Sequence, residues 1–273
     1  MIENIIKNAE MQNPICEGDY KGEDGLMYCG KCHTPKQFKV TISSEEQVMP
    51  IACQCEKEKD EQEKAKFEKI NLENRIKENR FNAFSDSFSK NITFETDKKP
   101  NTDISKLSRN YVKTFDTNTS KSLVFYGGCG MGKSFYAVCI CNALINKGFK
   151  VKFTSVREIS NKLWDSTNKE EIFKKIASYD LLVLDDLYSE RNSDYMNEII
   201  FSVIDECYRN RMPVIITTNL SADEIGNSKE LSKHRIFDRL FETALLIQVK
   251  GEDNRKRMLK ENMQAEINKL LNR

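Results

Sequence analysis

The sequence predicts an α/β fold in which a five-stranded parallel sheet lies between helices, preceded by a small cysteine-rich module and a charged connecting helix. Three observations carry this reading. Apolar runs at 121–126, 150–154, 180–185, 213–217 and 244–249 alternate with stretches of helical periodicity, and strands joined by helical crossovers pair in parallel. Five of the nine cysteines, Cys16, Cys29, Cys32, Cys53 and Cys55, crowd into the first fifth of the chain. Between these two regions, residues 56–80 carry mixed charge without Gly or Pro.

The 273 residues exceed one average domain and suit an α/β domain of about 190 residues with an appendage. No run approaches the roughly 18 consecutive apolar residues of a spanning helix, so no membrane association is expected. Met1 to Glu10 has Glu3 and Glu10 among its isoleucines and lacks the basic leader of a signal peptide, which places the protein in the cytoplasm. In that reducing compartment cysteines serve as metal ligands or small buried side chains rather than disulfides. Cys139, Cys141 and Cys207 lie in helical patterns and read as buried apolar groups. The net charge of +1 gives no reason to expect strong sequence-independent DNA binding, although it allows a local basic patch.

Residues 1–55 are rich in Gly and Pro and offer little periodic apolar sequence, so something other than a core must hold them. Cys29-Gly30-Lys31-Cys32 is a C-x-x-C knuckle, and Cys53-Gln54-Cys55 supplies a second pair. Together they offer four thiolates for a tetrahedral Zn2+, whose binding energy would fold the segment. His33 could stand in for one cysteine, and Cys16 is a more distant fifth candidate. A redox dithiol fits less well, because Cys29 and Cys32 lack a surrounding βαβ pattern. From 56 to 84, the spacings Asp60 to Lys64 and Glu73 to Lys77 suit an exposed linker helix; the sparse apolar set Phe67, Ile70 and Ile76 also suits a disordered linker.

The clearest helix of the α/β region runs from about Asp194 to Arg209. There Tyr195, Ile199, Val203 and Cys207 repeat every four residues, and Ile200, Ile204 and Tyr208 widen a stripe that should pack on the sheet.

Gly127-Gly128-Cys129-Gly130-Met131-Gly132-Lys133-Ser134 fits G-x-x-x-x-G-K-[ST], follows an apolar strand and precedes a helical stretch. In that context backbone N–H groups converge on phosphate oxygens, Lys133 reaches the β- and γ-phosphates, and Ser134 ligates Mg2+. Leu181-Leu182-Val183-Leu184-Asp185-Asp186 reads as a buried strand ending in two acids. Asp185 would hold Mg2+ and Asp186 would polarise the attacking water. Pro213 to Asn219 is another strand, with Pro at its permitted first position and Asn219 at its polar end, able to sit beside the γ-phosphate.

This order of motifs resembles AAA+ P-loop ATPases, and more narrowly the DnaC/DnaI-type helicase loaders and their relatives, the IstB-type transposition helpers. The resemblance covers about Arg80 to Arg257. His234-Arg235-Ile236-Phe237-Asp238-Arg239-Leu240 is similar to the family's arginine-finger segment, and Gly251-Glu252-Asp253-Asn254-Arg255 to its sensor 2 turn. The resemblance therefore implies that Arg239 is the finger, with Arg235 in reserve, and that Arg255 is sensor 2. A surface ion pair with Asp238 or a neighbouring acid is the plainer role for Arg239. Two features depart from the family. Asp253 stands where Ser is usual, and Asp186 stands where many relatives have Glu, one methylene longer, which implies slow hydrolysis suited to a switch.

On this resemblance, residues 85–273 form the ATPase domain with an abbreviated C-terminal lid from Glu252 onward. The cofactors are ATP and Mg2+, and the chemistry is hydrolysis of ATP to ADP and phosphate, slow and stimulated by DNA or a partner. Loaders of Gram-positive bacteria and their phages resemble the whole arrangement of zinc module, linker helix and ATPase. The implied role is loading a replicative ring helicase onto single-stranded DNA, with residues 1–55 docking on the helicase and the ATPase domain self-associating. The alternatives are a transposition helper acting on duplex DNA, for which a zinc module is not expected, and a zinc-dependent binding module with an inert ATPase.

Overall fold

The structure is a computed structural model that describes residues 15–42, 45–188, 193–226, 231–251 and 253–271, without the side chains at 231–232, 255, 257–262 and 265. The expectation that Met1 to Glu10 is not a signal peptide falls outside the described residues. Two compact units divide the chain, Met1–Glu73 and Asn74–Arg273.

The first unit contains two small antiparallel pairs, β1 (Tyr20–Lys21) with β2 (Met27–Tyr28), and β3 (Gln37–Ile42) with β4 (Glu45–Pro50). Periodicity alone does not announce these strands, which are short and have no buried residue in β3 or β4. The turn-rich sequence shapes their connections. Gly30 packs its Cα against the backbone of Gly18, and a Cβ there would lie 2.0 Å from the Gly18 carbonyl oxygen. Helix α1 (Gln54–Ala83) runs through the charged stretch, so the helical alternative for the linker is the one observed. Up to Glu73 it is almost wholly exposed, as its mixed charge demands.

The sequence ends the linker at residue 84, whereas the second unit begins at Asn74. The reason lies in the last turns of α1. Asn79 donates to the carbonyl oxygens of Gly148 and Phe149 at 3.2 and 3.0 Å, and Ala83 is fully buried beside Phe84. These contacts tie residues 74–83 into the α/β core.

The second unit continues with α2 (Asp103–Thr114), β5 (Ser122–Tyr126), α3 (Lys133–Asn146), β6 (Val151–Ser155), α4 (Val156–Asp165), α5 (Lys169–Ala177), β7 (Leu181–Leu187), α6 (Asp194–Arg209), β8 (Val214–Thr218), α7 (Ala222–Gly226), α8 (Leu231–Thr243), β9 (Ala244–Gln248) and α9 (Asn254–Leu271). The five later strands form one parallel sheet in the order β6-β7-β8-β5-β9, which is the α/β sheet the apolar runs predict. Strand side chains alternate between faces, so the sheet has two cores. Leu123, Phe125, Leu181, Val183 and Ile215 face α3 and the chain around Phe84 to Phe115. Val124, Leu182, Leu184, Val214 and Ile216 face α4, α5, α6 and α8. The predicted stripe of α6 is buried there through Ile199, Ile200, Val203, Ile204 and Cys207. Each such aliphatic side chain contributes about 1.5–3 kcal/mol on burial.

Local chemistry sets the helix starts. Ser155, Asn168 and Ser193 accept from the backbone N–H groups of Glu158, Glu171 and Met196, capping α4, α5 and α6. Among the described residues no helix is long and apolar enough to cross a membrane.

Candidate nucleotide-binding site

The carboxyl ends of β5, β7 and β8 lie side by side and bring three sequence-distant motifs together. After β5 the chain turns through Gly127–Gly132 into α3, whose first residue is Lys133. The Lys133 ammonium, nearly buried, donates to the carbonyl oxygens of Gly127 and Gly128 at 2.8 Å each, and to Asn219 Oδ1 at 2.7 Å. Asn219, the residue immediately after β8, donates its amide to Asp186 Oδ1 at 3.3 Å. Asp185 accepts from Ser134 and, at 2.6 Å, from the Thr217 hydroxyl. Lys133, Ser134, Asp185, Asp186 and Asn219 are thus joined by hydrogen bonds around one cradle.

Burial pushes the Asp185 carboxyl above its usual value, against the opposing hydrogen bonds from Thr217 and Ser134. A carboxylate made costly by burial gains from a divalent cation placed against it, and Ser134 supplies a neighbouring hydroxyl oxygen of the kind Mg2+ prefers. The donor set therefore fits a magnesium ion carried by a nucleotide. Asp186 is exposed and adopts left-handed backbone, φ +57°, a strain of about 1 kcal/mol or more. Its backbone N–H donates to Thr217 Oγ1 at 2.9 Å, so one hydroxyl holds both acids.

The loop also meets the start of α9. Asn254 N–H donates to the Gly130 carbonyl at 2.9 Å, and the Asp253 carboxylate occupies the side of Gly130 where a Cβ would lie 1.9 Å from Oδ1. Only glycine, at φ +74°, admits that approach. Asp253, in place of the family's Ser, also accepts from Lys256 N–H at 3.3 Å and so caps α9. Arg255 lies in the first turn of α9, and its side chain is outside the described residues.

Arg239 stands apart from this cradle, on α8. Its guanidinium pairs with Asp205 at 2.8 Å, not with Asp238, whose partner is His234 at 2.8 Å. The reserve Arg235 stacks over Phe201 at 4.7 Å.

In the first unit the sulfurs of Cys29, Cys32, Cys53 and Cys55 all lie within 4.8 Å of one another. A tetrahedron with Zn–S of about 2.3 Å has edges of about 3.8 Å, so this spacing fits the ion. The Thr34 hydroxyl, 3.1 Å from Cys32 Sγ, lowers that thiol to about 5, while burial pushes Cys53 up to about 12 and the hydrogen bond with Cys32 raises Cys55 to about 11. Four thiols this close cannot all ionise without a cation to offset their charge. Thr34 also accepts from Gln54 N–H at 2.9 Å, linking the two cysteine pairs. His33 turns to Tyr20, with Nδ1 3.2 Å from the phenol, and Cys16 lies 4.0 Å from the Lys36 ammonium, so neither belongs to the four-sulfur group.

A sequence profile of the family described as IstB-like ATP binding protein matches residues 54–262. The chain belongs to this family. The replicative helicase loader DnaC of Escherichia coli (strain K12) is 30% identical over 138 residues, 49% of this chain and 55% of that protein. The loader DnaI of Bacillus subtilis is 28% identical over 160 residues, 53% of this chain and 51% of that protein. An insertion sequence IS5376 putative ATP-binding protein of Geobacillus stearothermophilus is 24% identical over 170 residues, covering 60% and 67%. The chain therefore spans about half the length of the loaders it matches. A crystal structure of the DnaC helicase loader superposes with a TM-score of 0.53 at 28% identity, covering 60% of this chain and 100% of that one. The crystal structure of DnaI, at 19% identity and a TM-score of 0.53 over 63% of this chain and 95% of that one, shows the shared fold.

Within this IstB-like chain, sequence reasoning missed two contributors to the site. Thr217 is wholly buried at the end of β8, and its position among Ile215, Ile216 and Asn219 was the available signal, since a buried hydroxyl needs a partner. Lys99, whose ammonium donates to Asn254 Oδ1 at 3.1 Å, lies 155 residues from its partner, and no local pattern could reveal it.

Proposed function

We propose that this chain is an ATP-dependent helicase loader, which binds a replicative ring helicase and delivers it onto single-stranded DNA, using ATP binding and hydrolysis as a switch. The observation that carries the reading is the combination of a nucleotide cradle matched to the loaders DnaC and DnaI with a separate four-cysteine module ahead of it. The name of the family speaks of ATP binding only, and the module supplies what a nucleotide domain lacks, a dedicated surface for a partner.

In the proposed cycle ATP phosphates replace the Gly127 and Gly128 carbonyls as partners of Lys133, and the backbone N–H groups of the loop meet the phosphate oxygens. Ser134 and Asp185 would hold a magnesium ion, which would supply positive charge beside the phosphates. Asp186 takes a proton from the attacking water, and Asn219, released from Lys133, orients beside the γ-phosphate. The left-handed, exposed setting of a short acid at 186 favours slow turnover. Arg239 completes the site of a neighbouring copy. Residues 1–55 hold Zn2+ through Cys29, Cys32, Cys53 and Cys55 and dock on the helicase.

A second reading, a transposition helper acting on duplex DNA, is favoured by the family description and by the Geobacillus relative, of which the chain covers 67%. Phosphate release measured with single-stranded and with duplex DNA, together with co-purification with the host replicative helicase, decides between them. Stimulation by duplex alone and no helicase retained would reject the loader reading.

A further inference from the structure

Arg239 sits in the wall of a cavity of about 490 Å³ at the opposite end of the sheet from the phosphate cradle. The cavity is lined where strands begin, by Lys121 and Ser122 ahead of β5, by Met212 to Val214 entering β8, and by Thr243 ahead of β9. Gly127, Asp186 and Asn219 lie where strands end. A five-residue strand rises roughly 3.3 Å per residue, which separates the two ends by on the order of 16 Å. That exceeds the reach of an arginine side chain already engaged within α8 and α6.

Four cations line the cavity, Lys121, Arg209, Arg211 and Arg239, and no carboxylate does among the described residues. The Arg239 guanidinium is fixed on three sides. It pairs with Asp205 Oδ1 at 2.8 Å and packs over the rings of Phe201 and Tyr208, with 5.5 and 4.9 Å to the ring centres. Asp205 in turn engages Arg209 Nε at 3.0 Å through its other oxygen, so one carboxylate sets two guanidinium groups. Its side chain is 16% exposed, whereas that of Arg239 is 34% exposed and opens to the cavity. A planar guanidinium held between rings and a carboxylate keeps its fork in one orientation, which is what recognition of phosphoryl oxygens requires.

We propose that Asp205 is a positioning residue that holds Arg239 in a basic cavity receiving the nucleotide phosphates of a second copy of this chain. The inference rests on the reading of Arg239 as acting in trans and goes beyond it by naming what aims the arginine and where the neighbour's phosphates arrive. The polyanion belongs to another molecule because this chain's own cradle lies at the far end of its strands.

The test mixes two full-length variants. Lys133→Ala chains keep Arg239 and serve as donors, and Arg239→Ala chains keep the P-loop and serve as acceptors. The mixture should recover phosphate release that neither variant shows alone. Asp205→Asn added to the donor should lower the recovered rate about tenfold or more, because a misaimed group loses its geometric advantage. Asp205→Asn added to the acceptor should leave the rate within about twofold of the parent mixture, and Asp205→Glu in the donor should restore part of the loss. Equal loss from either placement assigns Asp205 a structural role and overturns the inference, as does no loss from either. Weakened single-stranded DNA binding by the Asp205→Asn chain, with recovery intact, would make the cavity a nucleic-acid site instead. No recovery in the parent mixture, in samples shown to co-assemble, removes the trans reading and this inference with it.

Discussion

Thr217→Val replaces a hydroxyl by a methyl of nearly the same shape at a position with no exposed surface. Two hydrogen bonds disappear, the 2.6 Å donation to Asp185 and the 2.9 Å bond from Asp186 N–H. A bond to a charged group contributes about 1.5–3 kcal/mol, and a buried N–H left without an acceptor costs about 1–3 kcal/mol. Because Asp186 is an exposed residue, the lower end applies to the second loss, and the total is about 3 kcal/mol. At about 2–4 °C per kcal/mol for a domain of this size, Tm should fall by about 6–12 °C. Thr217→Ser, which keeps the hydroxyl, should lose about 1 kcal/mol. The deficit should also depend on pH. Burial already holds the folded-state pKa of Asp185 above its unfolded value, so its contribution is favourable at low pH and is lost as pH rises through the raised value. Removing a donor raises that pKa further, so the gap between Val variant and wild type should widen as pH rises through the raised wild-type value. Thermal melts of nucleotide-free protein across that range check both statements. A Val variant that melts within 1 °C of wild type, or a gap that narrows with rising pH, would show that Thr217 does not hold the acids as described.

Lys133→Ala should abolish tight ATP binding while the chain stays folded, since its ammonium contacts loop carbonyls and Asn219 rather than the cores; unchanged affinity in calorimetry would sink the cradle assignment. Asp186→Asn should retain ATP binding and lose turnover, because Asp185 and Ser134 remain for magnesium, and turnover at the wild-type level would mean the acid has another role. Protein purified without chelator should hold one zinc per chain by elemental analysis. Replacing Cys29 and Cys32 together by Ser should release the metal and the helicase while the α/β unit melts as before; metal content unchanged by that double replacement would place the ion elsewhere.

The parts legible in the sequence are those written in local periodicity. The five strands and α6 follow from runs of 5 or 6 residues and a four-residue repeat, and each is found within two residues of its expected bounds. The P-loop was legible because its glycines, lysine and serine fall within one stretch of eight residues, Gly127 to Ser134. The short strands β1 to β4 were not, because they are held by turns, by the cysteine cluster and by Asp19, which Lys36 keeps at about 2 through a 2.9 Å ion pair. The way the last turns of α1 join the α/β unit was hidden for a similar reason. Asn79 looks like one more polar residue of a charged helix until the carbonyls of Gly148 and Phe149 are placed beside it. Arg239 was legible as a residue of interest by resemblance alone; its partner Asp205, 34 positions earlier on α6, becomes visible only when the helices pack.

The proposal that the nucleotide-loaded chain delivers a ring helicase to single-stranded DNA is tested most directly by strand unwinding by the host replicative helicase on a circular single strand carrying an annealed fragment. With the full-length chain and ATP, the fragment should be released at a rate well above that of helicase alone, and Lys133→Ala and the Cys29, Cys32 double Ser variant should each abolish the gain. Release by helicase that is unaffected by the chain, with ATP present and both proteins active, would refute the proposed loading function.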